Sequence, residues 1–97
     1  MIESLSAPDG TMTLRITGRF NFSCYREFHD KVAKAQANRF VVDLSKVEYM
    51  DSSALGMLLL LREKVKEDAS RVQIVSGAGQ PHEVLRLANF QRLFTVV

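Results

Sequence analysis

Two adjacent hydroxyls, Ser52 and Ser53, stand where an apolar run gives way to a helical pattern, and they are the residues of this chain best placed for chemistry. Around them the sequence reads Val42-Asp43-Leu44-Ser45-Lys46-Val47-Glu48-Tyr49-Met50-Asp51-Ser52-Ser53-Ala54-Leu55-Gly56, a buried strand leading into a helix start. A helix start presents backbone N–H groups without intrahelical partners and the positive end of the macrodipole, so it tolerates a dianionic phosphate. The chemistry that suits these residues is that of an acceptor. A serine hydroxyl receives a phosphoryl group while a kinase supplies the metal, the base and the nucleotide. Helix capping accounts for the same residues, since Asp51, Ser52 and Ser53 are all good N-cap types.

Other reactive side chains do not assemble into a site. Asp43, Glu48 and Asp51 can be imagined as a carboxylate cluster for acid–base or metal work, but capping and loop solvation explain each separately, and no His or Cys joins them. No metal site is expected. Cys24 has no fixed spacing to His29 or His82 and reads as a small packing residue in a helix. Gly77-Ala78-Gly79 lacks the third glycine and the Lys-Ser/Thr of a P-loop, and reads as a strand-to-helix turn. With no nucleophile, base and orienting group in one pattern, the chain is expected not to be an enzyme and to need no cofactor.

The elements that must position the serines follow from periodicity. Pro8-Asp9-Gly10 is turn chemistry between segments Ile2 to Ser6 and Thr11 to Thr17, which predicts an opening β-hairpin ended by Gly18. Asn21-Phe22-Ser23 caps a first amphipathic helix over about Ser23 to Ala37, carried by Tyr25, Phe28, Val32 and Ala35 and closed by Asn38. Arg39 to Leu44 reads as a central strand buried on both faces, followed by a loop from Ser45 to Met50 and a second helix over Ser53 to Asp68. Ser70 to Ser76 alternates as a strand. Pro81 opens a third helix with Val84, Leu85 and Leu87, Asn89 can end it, and Phe94 to Val97 forms a last strand. This order predicts an α/β fold, a mixed sheet opening with a β-hairpin and helices packed on the sheet.

On the second helix Ala54, Leu58, Leu61 and Val65 form one narrow stripe at ~100° per residue, the predicted core face. Leu59 and Leu60 project well away from it, and Gly56 lies with the serines on the outer side. Two readings fit: a wide core stripe covered by neighbouring loops, or an apolar docking patch beside a modifiable hydroxyl.

Composition narrows the function classes. The 97 residues, 46% hydrophobic and 25% charged, suffice for one domain, 1–97, with one core. The 13 basic and 11 acidic residues are dispersed, giving a net +2 and no basic stripe, so nucleic acid is not an expected partner. The longest apolar run, Met57 to Leu61, is far short of the ~20 residues of a membrane span, so no direct membrane insertion is expected. The lone cysteine and the absence of a signal-peptide pattern favour a cytoplasmic location.

The stretch from Val42 to Gly56 resembles the signature of STAS domains, specifically that of bacterial anti-sigma factor antagonists, and the hairpin and alternating order extend the likeness over essentially the whole chain. Ala54 replaces the usual first glycine of the Met-Asp-Ser-Ser/Thr-Gly-Leu-Gly core, putting a side chain next to the serines. The resemblance implies that Ser52 is the phosphorylated residue, with Ser53 a secondary candidate. Together with the outward Gly56, Leu59 and Leu60 of the helical spacing, this gives an expected partner face of Asp51, Ser52, Ser53, Ala54, Gly56, Leu59 and Leu60. The implied partners are an anti-sigma factor that is also a serine kinase, bound by the unphosphorylated form so that the sigma factor is released, and a PP2C-type phosphatase that reverses the modification. The alternative within the family is a structural STAS subunit of a membrane transport complex, in which the serines merely cap.

Overall fold

The computed structural model describes all residues, Met1–Val97. Strand β1 (Ile2–Ser6) turns through Ala7 to Gly10 into β2 (Thr11–Phe20), helix α1 (Tyr25–Lys34) leads to β3 (Arg39–Met50), α2 (Ser52–Lys64) to β4 (Val72–Val75), and α3 (Gln80–Leu87) to β5 (Thr95–Val96). The five strands lie in sequence order, β1 antiparallel to β2 and every later pair parallel. One face of the sheet carries the core. Leu14, Val42 and Ile74 sit side by side in register and are fully buried, as are their neighbours Phe40 and Val72. The alternate residues Thr13, Val41 and Gln73 share the opposite face and are half-buried or exposed, so the three helices cover one side only. No helix is long and apolar enough to cross a membrane.

The predicted order of elements holds, and the departures lie at their ends. Residues 45–50, expected as a loop, are the second half of β3. Two bulges conceal it. Leu44 and Ser45 together oppose Ile16, and Glu48 is inserted between the pairs Gly18–Val47 and Arg19–Tyr49. Each bulge adds a residue, so buried positions that alternate at Phe40, Val42 and Leu44 become three apart at Val47 and Met50, and the period-2 signal disappears. At the first bulge Asp43 Oδ1 accepts the Ser45 N–H at 3.0 Å, a local replacement for a ladder bond. At the second, Gly18 adopts φ +81°, which continues β2 to Phe20 where the sequence suggests that Gly18 ends it.

Helix α1 is shorter than its periodicity predicts, entered through a 3-10 turn at Phe22–Cys24 that Asn21 caps. Asn38 does not close it. Its N–H donates to Gly10 O at 3.1 Å, tying the β3 start to the hairpin turn, where Gly10 has φ +91°. Helix α2 starts one residue earlier than predicted and ends four earlier. Lys66 and Glu67 turn left-handed, with the Glu67 N–H donating to Arg62 O at 2.7 Å. Strand β4 is cut to four residues by a 3-10 turn at Ala69–Arg71, and α3 begins at Gln80, one residue ahead of Pro81.

Candidate functional site

Strand β3 ends at Met50 and α2 begins at Ser52, so one residue, Asp51, makes the whole transition. Its backbone is extended, and its side chain closes the helix start. Oδ1 accepts the Ser53 N–H at 3.0 Å, the Ala54 N–H at 3.4 Å and the Ser53 hydroxyl at 2.5 Å. These bonds favour the carboxylate and hold Asp51 below the usual aspartate range, the Ser53 hydroxyl contributing most. The same arrangement, an Asx Oδ1 taking the N–H and the hydroxyl of the serine two residues on, recurs at Asn21–Ser23, Asp43–Ser45 and Asp68–Ser70. It is a local device of this fold, so the Asp51–Ser53 contact is structural.

The two serines, equivalent as residue types, are thereby separated. The Ser53 hydroxyl is committed to Asp51. Ser52 is exposed at the first helical position, and its hydroxyl bonds to nothing in the chain. Ala54 is fully buried. This corrects its placement on the partner face: the methyl that replaces the family glycine points into the core with Met57, Leu58 and Leu61, so it does not meet an approaching molecule.

Ser52, Gly56, Leu59 and Glu63 follow one another along the outward line of α2, at successive intervals of four, three and four residues, and all four are exposed. Leu59 remains 39% exposed. A Cβ placed on Gly56 meets nothing within 4 Å, so no neighbour in the chain requires glycine there. Leu60 is turned to the side, half-buried, where it lines a groove between α1 and α2 with His29, Val32, Ala33, Glu63 and Lys64.

Sequence reasoning misses an exposed aromatic stack at the start of α1. Phe22, 69% exposed, stacks on Tyr25 at 5.5 Å, and Tyr25 stacks on His29 at 5.7 Å. His29 lines the groove with Leu60, and Tyr25 lies one turn before His29 on α1. The period-3 and period-4 signal is present in the sequence, but by spacing alone Tyr25 groups with the core. It sits on the flank of α1, while Phe28 and Val32 take the buried face. Gln80 also gives no signal in the sequence; its side chain spans thirty positions to bond Met50.

The other candidate groups stay apart. Burial pushes the Asp43 carboxyl up, but the Ser45 hydroxyl and N–H and Arg15 at 3.6 Å together outweigh it and hold it below the usual aspartate range, whereas Glu48 is exposed. No group of three or more His, Cys, Asp or Glu is placed to hold a metal ion. Cys24 is buried with its thiol on Arg19 O at 3.4 Å, and His82 Nδ1 is 2.8 Å from the Ser76 hydroxyl. Gly77 to Gly79 form the turn into α3.

This arrangement has relatives. A family model described as "Mlab, STAS domain" matches residues 3–96. A STAS-domain containing protein of Pseudomonas aeruginosa (strain UCBPP-PA14) is 36% identical over 98 residues, covering 98% of this chain and 97% of that protein. Among solved structures, a putative anti-sigma factor antagonist from Thermotoga maritima superposes with a TM-score of 0.84 at 21% identity, over 98% of this chain and 84% of that one. The anti-sigma factor antagonist SpoIIAA in its unphosphorylated form gives 0.77 at 14%, over 100% and 87%. A sulfate transporter family protein from Wolinella succinogenes gives 0.74 at 15%, over 95% and 80%. The structural likenesses establish the shared fold, and the matches at the level of sequence show that this chain belongs to the STAS-domain family.

Proposed function

We propose that this chain is a phosphorylation-controlled anti-sigma factor antagonist, binding an anti-sigma factor/serine kinase through the outer face of α2 and losing that partner when Ser52 carries phosphate. The observation that carries this reading is the free, exposed hydroxyl of Ser52 in line with Gly56 and Leu59. A hydroxyl without an internal partner is modified without breaking a hydrogen bond of the chain, and it stands in line with Gly56 and the exposed Leu59. Gly56 lowers helix propensity by ~1 kcal/mol relative to Ala with no compensating contact inside the chain, as suits close approach of a second backbone. The stacked Phe22 and Tyr25 add rigid aromatic area of the kind that anchors protein interfaces.

The cap sharpens how phosphate acts. Asp51 already takes the Ser53 and Ala54 N–H groups, so a phosphate on Ser52 keeps the favourable helix dipole but finds these donors occupied. Its ~1.5 to 2 negative charges project into the docking face beside the Asp51 carboxylate, and a partner must desolvate them. A PP2C-type phosphatase completes the cycle. The similarity to SpoIIAA and to the Thermotoga antagonist supports this reading.

The test is site mapping after incubation with the cognate anti-sigma factor and ATP: phosphate on Ser52 is expected, and phosphate exclusively elsewhere overturns the assignment. A second reading, a structural subunit of a membrane transport complex, is favoured by the likeness to the sulfate transporter family protein. It predicts co-purification with transporter subunits that is indifferent to substitution at Ser52.

A further inference from the structure

The residue before Asp51 is held by a side chain thirty positions further along the sequence. Strand β4 accompanies β3 only from Phe40 to Asp43, so at Met50 there is no β4 neighbour to complete the ladder. Gln80, the first residue of α3, supplies both missing partners. The Met50 N–H donates to Gln80 Oε1 at 2.9 Å, and Gln80 Nε2 donates to Met50 O at 2.8 Å. A primary amide offers one acceptor and one donor side by side, so it reproduces the paired bonds that an adjacent strand would make. On the β2 side the next residue is held less tightly, its N–H donating to Phe20 O at 3.4 Å.

We propose that Gln80 is the positioning residue of the serine junction: by clamping Met50 it fixes the direction from which Asp51 projects, keeping the carboxylate on the Ser53 hydroxyl and leaving Ser52 as the free one. Gln80 makes its side-chain hydrogen bonds to Met50 and to neither serine, and acts through Met50 and Asp51. The functional consequence, selection of Ser52 over Ser53 as acceptor, rests on the reading in the preceding subsection; the clamp does not. Helix α3 thereby reports to the junction from thirty positions further along the chain, and displacement of its first turn releases the cap.

The test compares the full chain with Gln80→Met and Gln80→Glu by NMR. Methionine keeps the length and approximate volume of glutamine without either hydrogen bond, whereas glutamate at neutral pH keeps the acceptor and loses the donor. In Gln80→Met the Met50 amide is expected to exchange about tenfold faster. The Ser53 and Ala54 amide resonances should move, and the Asp51 carboxyl should titrate closer to an ordinary aspartate. Gln80→Glu should fall between the two. Wild-type Ser53 resonances and Asp51 titration in Gln80→Met would overturn the proposal, because a packing role alone survives that exchange. None of these measurements uses a kinase, so a Ser52 that is never phosphorylated sinks the functional reading and leaves the clamp standing.

Discussion

At the scale of single residues, the junction divides labour among three neighbours that composition alone treats as interchangeable caps. Asp51 closes the helix, Ser53 completes that closure, and Ser52 is left over. Replacing Ser52 with Ala should therefore leave binding to the anti-sigma factor within a few-fold of wild type, while Ser52→Asp should weaken it at least tenfold, about 1.4 kcal/mol, by placing a charge where the contact must be dry. Titration calorimetry on the folded variants decides the matter, and equal affinities would defeat the switch. Asp51 also predicts a pH response. Its carboxyl titrates lower in the folded chain than in the unfolded one, so the stabilisation is complete above the unfolded value of ~3.9. It disappears as pH falls through the folded value. Acid unfolding of Asp51→Asn should therefore show a shallower pH dependence below about pH 4 than wild type. What the sequence conceals at this scale is a choice of hydrogen bond: either serine can cap, and only the placement of Asp51 Oδ1 assigns the role.

Among the elements, β3 and α2 carry most of the consequence. The α2 core stripe of Ala54, Leu58, Leu61 and Val65 is legible because 3.6-residue periodicity survives in a helix, although Met57 joins it and widens the buried face. The second half of β3 is not legible, because two bulges shift the buried positions from two apart to three. Gly56 gives this scale its own prediction. Since a Cβ at this position has nothing within 4 Å to strike, Gly56→Ala should stabilise the isolated chain by up to about 1 kcal/mol and raise its Tm. The same variant should bind the partner more weakly. A higher Tm with unchanged affinity would remove Gly56 from the docking face, and thermal scans paired with binding measurements read both effects.

For the molecule as a whole, a single cluster of buried apolar residues runs from Ile2 to Phe94 beneath all three helices. Leu58 is fully buried within it, and Leu58→Ala should cost about 2–5 kcal/mol in chemical denaturation. Small domains are stable by only about 5–15 kcal/mol, so that variant approaches the limit of folding, whereas phosphate on exposed Ser52 should leave the denaturation midpoint nearly unchanged. A large loss of stability on phosphorylation would replace a local block by an unfolding switch.

The sequence by itself determined the order of elements, the hairpin opening, the core stripe of α2 and the serine junction, since each depends on contacts within a few residues or on a periodicity that local backbone geometry imposes. It also carried the family likeness. Only the tertiary structure decided that residues 45–50 are strand, that Phe22 stacks on Tyr25 at the start of α1, and that Gln80 grips Met50. Each of these turns on which group lies within hydrogen-bond or packing distance. That is settled by how the helices dock on the sheet, and residue type and local spacing do not encode it.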